Sequence, residues 1–523
     1  MPGIRVERLP VRTMGLGLLG FDHLQIVCRS DFQDPGRPVR QDDWFVIEGL
    51  READGAGARL GVEGWHGGTT LSEANANLRD DALALKIGTP ESRGGRDIVE
   101  GSAAIELWAS LASFATDIEL QRFPYIALAL PGSALPTLNS SSLIASLLHH
   151  TGIDVEAALP AGVRFSPGTS TLLGTSRDDK LRTGNGFTAL LGGKGADDLS
   201  GNDISGQIDK LYGGQGDDTF HWSAGLNIVH GGQPGLAYDE DGRDTIVYTG
   251  AGDVTLEATF AREPHYQPDF IATYRAGQDH LLSIEEVVWD GTGDRLTIGK
   301  GVGLSPSPLK VEFNRNGGAG GGGVLDLSHS DVGFRITAHA DAELHLVGRT
   351  GDRAGSGGLR VSGAERMIAS PHEDRFVIAS PGASLVISDA APEDRLAVTW
   401  TPSHMAAAYD VRSRELVVHL FPSEAHQRSS LVRLLNFKDG ALGIDLDRPL
   451  ALADEADGAL LVSGPLPAQD DAYDLSAPIL MADPSLDFLS ASIFCLDTFD
   501  DVLCHDYPIF GAGDAISALQ NAG

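Results

Sequence analysis

Gly192-Gly193-Lys194-Gly195-Ala196-Asp197-Asp198-Leu199-Ser200 and Gly213-Gly214-Gln215-Gly216-Asp217-Asp218-Thr219-Phe220-His221 follow one pattern: Gly, Gly, any, Gly, any, Asp, any, apolar, any. They belong to a longer array. Rows starting at Gly174, Thr183, Gly192 and Gly201 run in strict nine-residue register, with Leu181, Leu190, Leu199 and Ile208 at the eighth position. Three extra residues, Lys210–Tyr212, follow, and the frame resumes at Gly213 with Phe220 in the eighth place. Two weaker rows continue it: Trp222–His230 keeps Gly225 and Val229, and Asp239–Val247 keeps Gly242, Asp244 and Ile246. Physically, each row is a six-residue turn followed by a three-residue strand that sends one apolar side chain into a core. The glycines allow positive φ in the turn, and the Asp supplies a hard anionic oxygen.

The pattern resembles the RTX nonapeptide family, whose repeats form calcium-binding parallel β-structure. If two rows make one layer, turns eighteen residues apart stack on one edge, and Asp179, Asp197 and Asp218 form a ladder. Ca²⁺ takes six to eight oxygen ligands, so carboxylates interleaved with turn carbonyls suit it. The expected metal residues are Asp179, Gly192, Gly193, Gly195, Asp197, Gly213, Gly214, Gly216 and Asp218, holding about two ions between successive rungs. The other edge, with the Thr183, Gly201 and Trp222 rows, lacks Asp at the sixth position and should bind poorly or not at all. Asp198 and Asp217 occupy variable positions and should be solvated.

Composition agrees with cations as partners. The 523 residues carry 39 Lys+Arg against 73 Asp+Glu, a net charge of −34. Such a chain repels polyphosphate, which argues against nucleic acid as a partner. Hydrophobic residues make up 42%, enough for packed cores. No stretch of eighteen apolar residues is present, so no transmembrane segment is expected. Arg5, Arg8 and Arg12 precede only a short apolar run, Met14–Phe21, without a small-residue cleavage site; a cleaved signal peptide is not expected. Gly15, Gly17 and Gly20 have dinucleotide-loop spacing but precede a strand instead of following one. Cys28, Cys495 and Cys504 are too few for a disulfide framework, and whether Cys495 and Cys504 pair stays open.

The expected organisation is multidomain and mainly β. An α+β domain (1–160) and a Pro/Gly/Ser linker (161–170) lead into the RTX rows (171–250), read as a parallel β-roll. A degenerate RTX-like β domain (251–475), solenoid- or sandwich-like, precedes an acidic C-terminal region (476–523). Glu373-Asp374-Arg375-Phe376 and Glu393-Asp394-Arg395-Leu396 echo the repeat with Arg after the Asp, where an Arg–Asp salt bridge would neutralise a vacant cation position. The resemblance implies secretion: RTX proteins lack a cleaved N-terminal signal and carry an uncleaved C-terminal one, read by a type I secretion apparatus. An array that stays loose at cytosolic calcium and folds outside the cell follows from the same logic. The extracellular ligand such a protein would present is not legible.

Within 1–160, His23 lies on a strand-like run (His23–Cys28), and Leu138-Asn139-Ser140-Ser141-Ser142-Leu143 opens a helical stretch ending near His149-His150. His on an early strand and a nucleophile at a later helix start look like the permuted papain-like and lecithin–retinol acyltransferase-like domains. In these the nucleophile is Cys; here Ser140 stands in its place. Ser140 and His23 are therefore candidate catalytic residues of a hydrolase or acyltransferase. A bare Ser–His pair without an orienting acid is a poor nucleophile, and the alternative role for Ser140 is a helix cap. Neither a His-Glu-x-x-His nor a Gly-x-Ser-x-Gly motif occurs, so the zinc-protease and serine-lipase classes are not indicated.

Overall fold

A computed structural model describes residues 3–10, 22–29, 44–54, 57–66, 95–129, 135–161, 163, 166–184, 186–204, 207–233, 242–259, 269–290, 295–305, 308–313, 323–350, 353–354, 358–424, 426–446, 451–454, 460–465 and 493–494. Strands account for 50% and helices for 12%, so the chain is mainly β, with several large sheets. The glycine triplet at 15–20, Cys495, Cys504 and nearly all of 476–523 lie outside the described residues. The chain divides into two compact units, Met1–Val254 with Ala258–Gly291, and Thr255–Glu257 with Thr292–Gly523.

The first unit begins with a five-stranded antiparallel sheet: β1 (Gly3–Pro10), β2 (Asp22–Arg29), β3 (Trp44–Asp54), β4 (Gly57–His66) and β5 (Gly95–Glu100), in the order β4-β3-β2-β1-β5. Two helices pack on it, α1 (Ala103–Leu120) and α2 (Ser140–His150). Alternation along the strands decides the packed face. Ile4 and Val6 of β1 pair in register with Cys28 and Ile26 of β2, and Ile26 with Ile47 of β3. These join Leu111 and Ile118 of α1 and Leu143, Ile144 and Leu147 of α2 in one core. Cys28 is a buried free thiol, and burial pushes its pKa up to about 11, which leaves it inert.

After α2, short strands alternate between two sheets. One takes β6 (Thr171–Leu173), β8 (Ala189–Lys194), β10 (Ile208–Gln215) and β12 (Gly225–His230), all parallel neighbours. The other takes β7 (Lys180–Arg182), β9 (Asp198–Ser200), β11 (Thr219–His221) and β13 (Thr245–Thr249), also parallel. Columns of apolar residues run through each sheet: Leu172, Leu190, Leu211 and Val229 in the first, Leu181, Leu199, Phe220 and Ile246 in the second. All are buried. Each three-residue strand thus contributes one side chain per layer, and the stack, not the single row, makes the core.

One register differs from the expectation. Lys210–Tyr212 are not looped out: they pair with Ala189–Leu191 inside β10. Leu211 occupies the column, while Ile208 is 40% exposed. The extra residues fall ahead of Lys210 and lengthen β10 at its start, because pairing with Leu190 rewards the later apolar residue and leaves the earlier one outside the core.

In the second unit, parallel pairings link Arg295–Ile298, Gly323–Asp326, Ala364–Ile368, Ser384–Ser388 and Ser430–Leu435 in sequence. A second series links Gly333–Ala338, Arg375–Ile378 and Arg395–Val398. Antiparallel hairpins such as His404–Asp410 with Glu415–Phe421 are added to these. Buried columns recur here, for example Ile336, Phe376 and Leu396. Among the described residues no helix is long and apolar enough to cross a membrane.

Candidate functional sites: an aspartate ladder and a serine–histidine–glutamate cluster

The sixth-position aspartates stack as a ladder with a fixed bond. The backbone N–H of Asp179 donates to Asp197 Oδ1 (2.8 Å), that of Asp197 to Asp218 Oδ1 (2.8 Å), and that of Asp218 to Asp244 Oδ1 (3.0 Å). The N–H of Asp244 donates to Glu285 Oε2 (2.8 Å), so the ladder extends two rungs past the expected set. Asp244 sits in a row whose Gly242 and Ile246 betray the repeat; Glu285 lies in Ser283-Ile284-Glu285-Glu286, with no nine-residue frame to announce it.

One oxygen per aspartate is thereby satisfied. The other is not, at two rungs. Asp197 and Asp218 are each 1% exposed, and their Oδ2 atoms are buried without a hydrogen-bond partner. Each Oδ2 lies against the first glycine of its row, where the next row's carbonyl also converges. The carbonyl oxygens of Gly213 and Gly231 lie 2.6 Å from the points where Cβ atoms on Gly192 and Gly213 would sit. A side chain at either glycine would fill this oxygen-lined cradle. Gly214, with a φ of 115°, packs so closely on the Gly193 carbonyl that a Cβ there would overlap it.

Burial pushes the carboxyls up, to about 7 for Asp197, about 8 for Asp218 and about 7 for Asp244, with neighbouring carboxylates adding to the effect. Burial also raises Glu285. Ionised carboxylates in such a place need compensation, because a desolvated charge without a counter-charge is costly. Among the described residues no group of three or more His, Cys, Asp or Glu is placed to hold a metal ion. A cation at this ladder would therefore be held largely by main-chain oxygens with one or two carboxylates.

At Asp179, Asp197, Asp218 and Asp374 the residue four before the Asp goes with the state of Oδ2. At Asp197 and Asp218 it is Gly193 and Gly214. At Asp179 it is Thr175, whose N–H (2.6 Å) and hydroxyl (3.0 Å) both donate to Oδ2. At Asp374 it is Ser370, whose N–H donates to Oδ2 (2.7 Å) and whose hydroxyl donates to Oδ1 (2.8 Å). Phe334 N–H also donates to Asp374 Oδ1, and the N–H groups of Asp374 and Ala391 donate to Asp394. Donors thus occupy the carboxylate oxygens of the degenerate rows, although burial still raises Asp374, and raises Asp394 to about 7. Arg395, expected to pair with its Asp, instead donates to the Pro392 and Asp394 carbonyls.

On the opposite edge Asp209, ninth in its row, is buried but fully engaged. It accepts from Asn202 N–H (2.9 Å), Gln207 Nε2 (2.7 Å) and the Thr183 hydroxyl (3.1 Å). Asp198 is half-exposed and pairs with Lys180 and His221.

The second cluster lies in the first 160 residues. Ser140 Oγ is 2.8 Å from His23 Nδ1, and His23 Nε2 is 3.1 Å from Glu48 Oε2. His23 is two residues along β2 from Gln25, the register partner of Glu48 on β3. A carboxylate only accepts, so in the neutral ring His23 Nε2–H donates to Glu48 and leaves Nδ1 as acceptor for the Ser140 hydroxyl. The orienting acid absent from the sequence reading is thus Glu48. The capping role does not fall to Ser140: Asn139 caps α2, accepting from the N–H groups of Ser141 and Ser142, while Ser142 Oγ accepts from the Asn139 N–H. Ser140 is the first residue of the helix, next to its partially positive end. Gly49 lets it approach β3, since a Cβ there would come within 2.8 Å of Ser140 Cα.

The chain matches no family model and no curated protein.

Proposed function

We propose that the chain is a secreted calcium-binding protein of the RTX type, in which the rows of 171–250 form a parallel β-roll around the ions and present the N-terminal domain. The observation that carries this reading is the pair of buried, donorless Oδ2 atoms of Asp197 and Asp218. Asp197 and Asp218 would hold Ca²⁺ together with main-chain oxygens of the turns built on Gly192, Gly193, Gly195, Gly213, Gly214 and Gly216. Asp179, expected among the metal residues, stands at the outer rung with its Oδ2 already taken by Thr175, so it would contribute less to the ion than Asp197 and Asp218. The ion supplies the positive charge that the buried carboxylates otherwise obtain only by taking up protons. Solenoid- or sandwich-like packing of the second unit, and export through a type I apparatus with a signal in 476–523, belong to the same reading and rest on the resemblance. A calorimetric titration with CaCl₂, followed by far-UV circular dichroism, tests it. The expectation is saturation at about two ions; no heat and no spectral change up to ~10 mM, well above extracellular-module affinities, overturns it.

Glu48 favours a second reading for the N-terminal domain, a hydrolase or acyltransferase. Ser140 Oγ would attack an acyl carbonyl as its proton passes to His23 Nδ1. The histidine then protonates the leaving group, and water or an acceptor alcohol releases the acyl chain by the reverse transfer. Ester turnover by the full chain before and after Ser140→Ala decides this: equal turnover removes Ser140 as nucleophile.

A further inference from the structure

The aspartate ladder and the Ser140 cluster are joined by one helix. In its sheet β6 is the last strand, with β8 on one side. On the other side its backbone meets α2: the Leu173 N–H donates to Ser146 Oγ (2.8 Å), and the Leu173 carbonyl accepts from His150 Nε2 (2.7 Å). Ser146 and His150, one turn apart, thus take the place of a neighbouring strand. Leu173 and Leu191 also enter the core that holds Leu143 and Leu147 of α2. Leu191 is followed directly by Gly192, which lies beneath Asp197 Oδ2. From the open carboxylate to the helix that begins with Ser140 the path is therefore one strand wide. The end of α1 also reaches the array, where the Leu120 carbonyl accepts from Lys194 Nζ (3.4 Å).

An eleven-residue helix is marginal on its own, and every residue from Ser140 to Leu148 is buried. Helix α2 thus owes its persistence to packing: β2 and β3 at its start, β6 along its length and α1 beside it. Loosening of β6 removes the support that also holds Ser146 and His150.

We propose that the array is the effector of the Ser140 site: cation binding at Asp197 and Asp218 orders β6 and β8, seats α2, and so assembles Ser140 against His23 and Glu48. This rests on the cation reading above. Its chemistry is order imposed on a marginal helix, without any change of ligands at the serine itself.

Hydrogen exchange of the full chain, read by mass spectrometry at residues 143–150 in EDTA and in CaCl₂, tests the proposal alongside calorimetry on the same sample. The expected result is ion uptake with at least tenfold slower exchange along α2. In Ser146→Ala with His150→Ala, ion uptake should persist while most of that slowing is lost. Ion uptake with unchanged exchange in the wild-type protein overturns the coupling and leaves the cation reading intact. Neither uptake nor slowing removes both.

Discussion

Replacing Asp218 by Asn should stabilise the rows in the absence of cation and weaken their response to its addition. The side chain keeps its shape. Its Oδ1 still accepts from the Asp197 N–H, and the amide nitrogen replaces the donorless Oδ2 beside the Gly231 carbonyl. What disappears is the titration. The Asp218 carboxyl is raised by burial from 3.8 to about 8, so the folded form binds a proton that the unfolded chain has released. Stability from this group is complete below about pH 4 and is lost as pH rises towards about 8. At pH 7 that protonation costs on the order of 4 kcal/mol, at ~1.4 kcal/mol per pH unit. For a unit of this size, ~2–4 °C per kcal/mol makes the expected gain roughly 10 °C. Thermal melts in EDTA at pH 4 and pH 7.5, with and without CaCl₂, provide the assay. The wild-type protein should lose stability between the two pH values and regain it with CaCl₂; the Asn variant should lose less, because only Asp197 and Asp244 still titrate near 7 in the ladder, and should regain less. A variant that melts below the wild type at pH 7.5 in EDTA, or that responds to CaCl₂ as the wild type does, refutes the reasoning.

Other expectations follow from the same geometry. Gly214→Ala combines a positive φ with overlap on the Gly193 carbonyl; a cost of roughly 1–3 kcal/mol or more should appear as weakened ion uptake in calorimetry, and unchanged affinity would contradict the cradle. Asp374→Asn should leave the ion stoichiometry as it is, because Ser370 and Phe334 already saturate that carboxylate; loss of an ion would place a site there. Glu48→Gln should lower kcat of any Ser140-dependent ester turnover by roughly 10²-fold or more at a nearly unchanged melting temperature, and full activity would show that His23 needs no orienting acid.

Much of the repeat region was legible because its physics is local. A three-residue strand can bury only one side chain, so Leu181, Leu199 and Phe220 announce their columns by spacing alone. The glycines announce the turns, and the aspartate stacked every second row announces the ladder. The helix starting near Ser140 and the strand carrying His23 were readable for similar reasons of periodicity. What local sequence does not carry is the choice between equivalent partners. Ile208 and Leu211 are both apolar, and only pairing with Leu190 selects Leu211 for the core. Asp179 and Asp197 hold the same place in their rows, yet Thr175 saturates an oxygen that Gly193 leaves bare. Glu48 is 25 residues from His23, and Ser140 is 117; strand register and the close seat at Gly49 bring the three together. Composition and spacing therefore determined which residues could bear charge or nucleophilicity. Tertiary packing decided which of them are left without a partner, because a buried group's chemistry depends on the donors within hydrogen-bond reach and not on its neighbours in the chain.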